Sequence, residues 1–212
     1  MSCCQCQGIE ELFSEEYVAK ELKRYRKRGP DKTTRMLINA LKEEDVRGLT
    51  LLDIGGGLGA IQHEMLGAGV QSAIDVEASI AYLNATKEET ARRGYAEQVS
   101  YQHGNFVNLA ENVAPADIVT LDRVICCYPD MQNLVSLSVA RASKYYGLVF
   151  LREDWWMKIW HFLQSSFLRL TKSNYRTFLH PTKEVEKLVK NYGFKRRFYR
   201  QTFFWQVIIY TR

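Results

Sequence analysis

The apolar positions of this chain change period along its length. In residues 9–28, Ile9, Leu12, Phe13, Tyr17 and Val18 fall near helical spacing and predict an amphipathic helix. The basic run 23-KRYRKR-28 closes it and Gly29-Pro30 stops it. Asp31 is positioned to cap a second helix carrying Met36, Leu37, Ile38 and Leu41. The apolar strand LTLLDI follows and runs into a glycine turn. Helix and strand patterns then alternate: helix 58–67, strand 70-VQSAIDV-76, helix 79–94, strand 98-QVSYQ-102, strand 116-ADIVTLD-122, helix 130–143 and strand 147-GLVFL-151. Strands separated by helices predict a parallel sheet covered on both faces.

The ending reads differently. Residues 182–192 predict a helix, with Thr182 at its start and Gly193 as its stop. The strands 194-FKRRFYR-200 and 203-FFWQVIIY-210 follow with only Gln201-Thr202 between them. So short a link joins antiparallel strands, because a parallel crossover needs a dozen residues or more. The second strand is apolar on both faces, which predicts insertion between other strands. The expected architecture is α/β in a single domain, 1–212, with a helical cap in 1–45 and an aromatic insert in 152–181.

Within that insert Trp156, Ile159, Trp160, Leu163 and Phe167 recur at three- and four-residue steps. The stripe suits a helix packed on the sheet, or a lid over an apolar or planar substrate. An interfacial helix is a third possibility, with Arg152, Lys158 and Arg169 meeting anionic lipid in a peripheral membrane contact.

Composition narrows the class. A chain of 212 residues can bury its own core. The formal charge of +5 permits an anionic partner but is too small to argue for nucleic acid. No apolar run approaches the roughly 20 residues of a membrane span. The polar, acidic start MSCCQCQGIEELFSEE is not a signal peptide. The expectation is a cytoplasmic chain with reduced cysteines. Cys3 and Cys6, with Cys4 between them, and the pair Cys126–Cys127 offer ligands for zinc or a soft metalloid, or a redox pair. Adjacent cysteines serve one metal poorly and residues 3–6 lie in a tail, so no metal site is expected. The run 23–28 is expected to be a solvated helix face.

The chemistry centres on 51-LLDIGGGLGA-60. Gly55, Gly57 and Gly59 permit a tight turn and close backbone approach to a ligand, which in such sheets sits at the carboxyl ends of the strands. Gly55-x-Gly57-x-x-Ala60 also matches the dinucleotide pattern, and Asp75 lies 20 residues after Gly55, where that pattern has its ribose-binding acid. An NAD-dependent oxidoreductase is therefore one reading. Asp53 tilts against it, since a carboxylate repels a pyrophosphate and attracts an ammonium or sulfonium.

The stretch D53-I-G55-G-G57-L-G59 resembles the first motif of class I S-adenosylmethionine-dependent methyltransferases. The strand order over residues 49–151 and 182–212 resembles that family's doubly wound, mostly parallel seven-stranded sheet, whose last strand runs antiparallel. The resemblance implies a methyltransferase with S-adenosyl-L-methionine as cofactor. It implies that Asp53, Gly55, Gly57 and Gly59 border the methionine moiety. Asp75 would take the ribose hydroxyls, with Glu77 as runner-up, and Val76 would pack near the adenine. Asn105 stands where the family often has an aspartate near the adenine amino group and can accept through its carbonyl oxygen. Phe106 would pack on the ring, and Asp122 would line the methyl-transfer cleft. A catalytically inactive methyltransferase-like binding protein is the non-enzyme alternative.

The segment 119-VTLDRVICCYPD-130 lacks the Asn/Asp-Pro-Pro-Tyr/Phe signature of DNA amino-methyltransferases, and no nucleic-acid partner is expected. It resembles the corresponding segment of magnesium-protoporphyrin O-methyltransferases, as does 179-LH-180 before a helix. Where those enzymes have a histidine before the tyrosine, this chain has Cys127. The resemblance implies O-methylation of a small, hydrophobic or planar acceptor. His180 and Tyr128 are the first candidates for removing an acceptor proton, with His103 third. The family also implies that the chain before the first motif folds over the cofactor, bringing Arg28, Thr33, Thr34 or Arg35 to its carboxylate.

Overall fold

The computed structural model describes residues 8, 10, 12–155, 157 and 176–212. Its frame is one seven-stranded sheet of β1 (Thr50–Ile54), β2 (Ser72–Glu77), β3 (Val99–His103), β4 (Ala116–Asp122), β5 (Ala142–Leu151), β6 (Lys195–Gln201) and β7 (Trp205–Thr211). The spatial order is β3-β2-β1-β4-β5-β7-β6. The first five strands pair in parallel. β7 runs antiparallel between β5 and β6, as its doubly apolar sequence predicts. The helices are α1 (Glu15–Arg28), α2 (Lys32–Lys42), α3 (Ala60–Gly67), α4 (Ile80–Arg92), α5 (Phe106–Leu109), α6 (Met131–Val139) and α7 (Thr182–Asn191). The strand order reverses at β1 and β4, which opens a crevice at their carboxyl ends.

Strand alternation divides the core into two layers. Leu51, Ile118 and Val207 pack on one face with Leu37, Leu41 and Met65 of α2 and α3. Leu52, Val119 and Ile208 pack on the other with Leu134 of α6 and Val185 and Val189 of α7. Each such buried side chain contributes about 1.5–3 kcal/mol of transfer free energy. α2 thus belongs to the core of the sheet, and the cap is built on a fixed base.

Most boundaries shift by a residue or two from the expectation, and some of the differences have a visible cause. The helix expected over 9–28 is interrupted before Glu15, because the Ser14 hydroxyl accepts the Tyr17 N–H at 3.3 Å and caps α1. Asp31 occupies the cap position of α2 but makes no capping bond; its carboxylate turns to Arg123 at 2.9 Å instead. The helix expected over 130–143 ends at Val139, and β5 begins at Ala142 rather than 147, since Ala142, Tyr145 and Tyr146 pair with β4. Gln201 belongs to β6, so the hairpin link is Thr202–Phe204, closed by Thr202 N–H to Trp205 O at 2.8 Å.

The basic run on α1 is only partly a solvated face. Tyr25 is buried, and its hydroxyl lies 3.2 Å from His63 Nδ1. Arg26 reaches Glu88 and Glu89 of α4, both at 2.8 Å. Arg92 and Arg93 complete the cluster, and Arg92 first, then Arg26 and Arg93, hold the Glu89 carboxyl well below the usual carboxylate range. These pairs bolt α1 onto the body. The stripe Trp156, Ile159, Trp160, Leu163 and Phe167, with Lys158 and Arg169, lies outside the described residues, as do Cys3, Cys4, Cys6 and Ile9. No described helix is long and apolar enough to cross a membrane.

Candidate active site

Gly55, Gly57 and Gly59 have φ of 68°, 58° and 71°, the left-handed region that disfavours side chains. A Cβ on Gly57 would meet nothing within 4 Å, so the backbone there is open to a ligand. A Cβ on Gly55 would sit 2.5 Å from Val124 Cγ2, because the turn after β4 closes over the loop. Gly56 answers a different need: a Cβ there would lie 2.4 Å from Gln62 Nε2 and 2.6 Å from Asp75 Oδ1.

A cavity of about 530 Å3 starts at this loop and runs beneath α1 and α2. Its near end includes Asp53, Glu77, Val76, Asn105, Phe106 and Asp122; its far end includes Cys126, Cys127, Tyr128, Leu151 and Trp205.

Three acids stand behind or beside the loop. Asp53, at the end of β1, is 1% exposed and accepts from Thr120 Oγ1 at 2.6 Å and Gln62 Nε2 at 3.2 Å. Burial pushes its carboxyl up to about 7, against the pull of those bonds. Asp75 is its register partner on β2. It is 0% exposed, is not on the cavity wall, and neither of its oxygens has a partner in hydrogen-bonding geometry among the described residues. Burial, then the neighbouring Glu77 and Asp53, raise its carboxyl well above the usual range. The acid that faces the cavity from β2 is Glu77, the last residue of the strand. Its Oε2 accepts Gly57 N–H at 3.0 Å and its Oε1 accepts Ser79 N–H at 2.8 Å. Burial raises its carboxyl too, opposed by these amides.

Asn105 caps α5: its Oδ1 accepts Val107 N–H at 3.0 Å, which fixes the amide so that Nδ2 donates to Tyr128 Oη at 3.2 Å. Phe106 is buried in the core beneath it while lining the cavity. Asp122 accepts from Thr34 Oγ1 at 2.5 Å and pairs with Arg123 Nε at 3.2 Å. Arg123 is the one non-glycine residue with positive φ among those described, at 64°. Burial works against its charge, but Asp122 and Asp31 outweigh it and hold the guanidinium above its ordinary value. Arg123 therefore ties the cap to the end of β4.

The remaining candidates separate. Tyr128 is on the cavity wall. His180 is not; its Nε2 lies 2.9 Å from the Tyr128 carbonyl oxygen, so it supports the Tyr128 backbone. His103 is also off the wall, with Nε2 3.1 Å from Ala78 O. Of the four cap residues named for the cofactor carboxylate, only Thr34 lines the cavity; the Arg35 guanidinium is spent on Pro30 O at 2.8 Å. Among the described residues no group of three or more His, Cys, Asp or Glu side chains is placed to hold a metal.

A family model described as an O-methyltransferase domain matches residues 4–155. The chain belongs to this family. It is a class I S-adenosylmethionine-dependent methyltransferase. No curated protein matches by sequence. Among solved structures, magnesium protoporphyrin IX methyltransferase from Synechocystis PCC 6803 with bound SAH is 16% identical, with a TM-score of 0.69 over 92% of this chain and 96% of that one. An O-methyltransferase family 2 protein from Planctomyces limnophilus DSM 3776, in complex with apigenin, is 14% identical, with a TM-score of 0.68 over 92% of this chain and 61% of that one. At these identities the likeness is one of fold. The dinucleotide alternative falls with the family match, and Asp75, the acid at the dinucleotide spacing, does not line the cavity.

The methyltransferase's donor set suits its cofactor. An open glycine backbone, a partly ionised Asp53 and the Asp122 carboxylate favour an ammonium and a sulfonium over an anion.

Proposed function

We propose that the chain transfers the methyl group of S-adenosylmethionine to an oxygen of a small, hydrophobic or planar acceptor held at the Cys126–Trp205 end of the cavity. The observation that carries this is the continuity of one cavity from the glycine loop to an apolar far end. Its volume of about 530 Å3 lies in the ordinary range for small-molecule sites. The apigenin complex of the Planctomyces limnophilus protein and the porphyrin named for the Synechocystis protein support a planar acceptor.

When bound, the cofactor supplies a methyl group already activated by a positive sulfur. The chain's own residues do the rest. Asp53 and the backbone of Gly55, Gly57 and Gly59 border the methionine moiety. Glu77, rather than Asp75, takes the ribose hydroxyls with its remaining lone pairs. Val76 and Phe106 pack at the adenine, with Asn105 beside them. Asp122, held by Thr34 and Arg123, is fixed on the cleft wall. Alignment supplies most of the rate in such a displacement. Tyr128 Oη, facing the cavity under the Asn105 amide, orients an acceptor hydroxyl or takes its proton, and His180 positions Tyr128 through its backbone.

The test is calorimetry with S-adenosylmethionine and S-adenosylhomocysteine, then a screen of planar phenols and carboxylic acids with the labelled methyl donor. Micromolar cofactor binding and a labelled O-methyl product are expected. Cofactor binding without turnover on any acceptor would favour a methyltransferase-like binding protein, and labelling on nitrogen or carbon would overturn the O-methyl assignment.

A further inference from the structure

Cys126 and Cys127 are consecutive, yet both line the same cavity. Consecutive side chains in an open 3-10 turn ordinarily diverge. Here the turn Ile125–Cys127 is entered through Arg123 at φ 64°, and Cys127 N–H closes back on Val124 O at 2.9 Å. Both thiols then fall over one acceptor: Cys126 Sγ donates to Arg123 O at 3.2 Å and Cys127 Sγ to the same oxygen at 3.5 Å. The two sulfurs are 3.8 Å apart. Their surroundings are apolar, with Leu151, Met157 and Trp205 packed against Cys126. A non-glycine residue held in the left-handed region persists where the surroundings demand it, and such strain clusters at functional sites.

We propose that Cys126 and Cys127 form a dithiol site that captures a trivalent arsenical bearing one organic group, R–As(OH)2, at the acceptor end of the cavity. The proposal rests on the reading of this end as the acceptor's. Three observations select the ligand class. Thiols are soft donors, which favours soft, thiophilic centres over hard cations. A tetrahedral zinc would need two further ligands, and no third His, Cys, Asp or Glu is grouped with these sulfurs among the described residues. A linear two-coordinate cation would set its sulfurs about 4.6 Å apart, twice a metal–sulfur bond of about 2.3 Å. That is wider than the 3.8 Å found. A pyramidal arsenic completes its coordination with its own organic group, which the apolar wall accommodates.

The step balances without any redox partner. Each thiol loses its proton to one arsenic hydroxyl; two As–O and two S–H bonds break, two As–S bonds form, and two waters leave. The arsenic stays trivalent. The hydrogen bond with Cys127 and burial raise the Cys126 thiol well above its usual range, which favours the thiol form that this condensation consumes.

The experiment uses the full chain with Cys3, Cys4 and Cys6 replaced by serine, which leaves two thiols. The protein is saturated with S-adenosylhomocysteine and titrated with phenylarsine oxide. Intact mass and thiol titration are read together. The expected result is one phenylarsenic per chain, loss of both titratable thiols, and reversal by a dithiol but not by an equal amount of a monothiol. Cys126→Ser and Cys127→Ser should each weaken capture at least 100-fold while cofactor binding, read by calorimetry, stays within threefold. Capture that consumes one thiol, equal capture by either single variant, or no capture by a protein that binds the cofactor would overturn the proposal. Failure of cofactor binding itself would instead count against the functional reading above.

Discussion

Glu77→Gln separates the two acids of β2. In the native loop each Glu77 oxygen accepts a backbone N–H, Gly57 at 3.0 Å and Ser79 at 2.8 Å. A glutamine has one acceptor oxygen. Whichever way its amide turns, an NH2 faces one of those N–H groups and leaves it unpaired. A buried donor stranded in this way costs about 1–3 kcal/mol, and a hydrogen bond to a charged partner is worth about 1.5–3 kcal/mol more than none. Part of the first cost falls on the free protein, because Gly57 is held in the loop before any ligand arrives. The second falls on the complex, through a ribose hydroxyl that loses a carboxylate. At about 1.4 kcal/mol per tenfold, a loss of about 2 kcal/mol weakens binding ~30-fold. The expected result is a 10- to 100-fold weaker S-adenosylhomocysteine affinity by calorimetry, with Tm of the free protein lowered by about 2–4 °C per kcal/mol of native stability lost. Asp75→Asn is the partner experiment. Asp75 is buried off the cavity wall, and burial, Glu77 and Asp53 raise its carboxyl well above the usual range, so an isosteric neutral amide should leave the affinity within threefold. A tenfold or greater loss in Asp75→Asn, with Glu77→Gln binding normally, would refute the reasoning and return the ribose to Asp75.

Further outcomes follow from the same groups. Asp53, raised to about 7 by burial, keeps a proton in the folded chain between about pH 4 and 7 that the unfolded chain has lost. Native stability from this group is therefore present at low pH and declines as pH rises towards 7, then levels off. Binding a cationic ligand at pH 6 should release a proton, seen as a dependence of the calorimetric enthalpy on buffer ionisation; Asp53→Asn should abolish that component. Arg123→Ala keeps the left-handed backbone and loses the ties to Asp31 and Asp122, whereas Arg123→Gly loses the ties but relieves a strain of about 1 kcal/mol. Arg123→Gly should thus melt about 2–4 °C above Arg123→Ala, and equal melting points would remove the strain argument. Tyr128→Phe should lower kcat on a hydroxyl acceptor at least tenfold with cofactor affinity unchanged; His180→Ala should raise KM more than it lowers kcat, because His180 acts on the Tyr128 backbone.

What could be read from the sequence follows from how far each signal travels along the chain. β7 carries its burial in its own residues: Val207, Ile208, Ile209 and Tyr210 leave no polar face for solvent, and the strand sits between two others. Asp53 and the glycines were legible for the same reason, since a strand end, a carboxylate and a left-handed turn are local. The choice between Asp75 and Glu77 is not. The two residues point to the same face of β2, and only the position of the strand end, at Glu77 rather than Val76, decides which one reaches the cavity. Arg123 had no signal at all, because arginine in the left-handed region is selected by what it joins: Asp31 lies 92 residues away in sequence. Arg26 likewise finds Glu89 across 63 residues. The pairing of Asn105 with Tyr128, and of both thiols with one carbonyl, depends on that same turn. The glycine-loop end of the cavity was therefore visible as a motif, while the Cys126–Tyr128 end follows a turn entered through one strained residue, Arg123, held by Asp122 of β4 and by Asp31 of the cap. A change in the cap that releases Arg123 would therefore redraw the proposed acceptor end, and would reach the glycine loop only through Val124, which closes over Gly55.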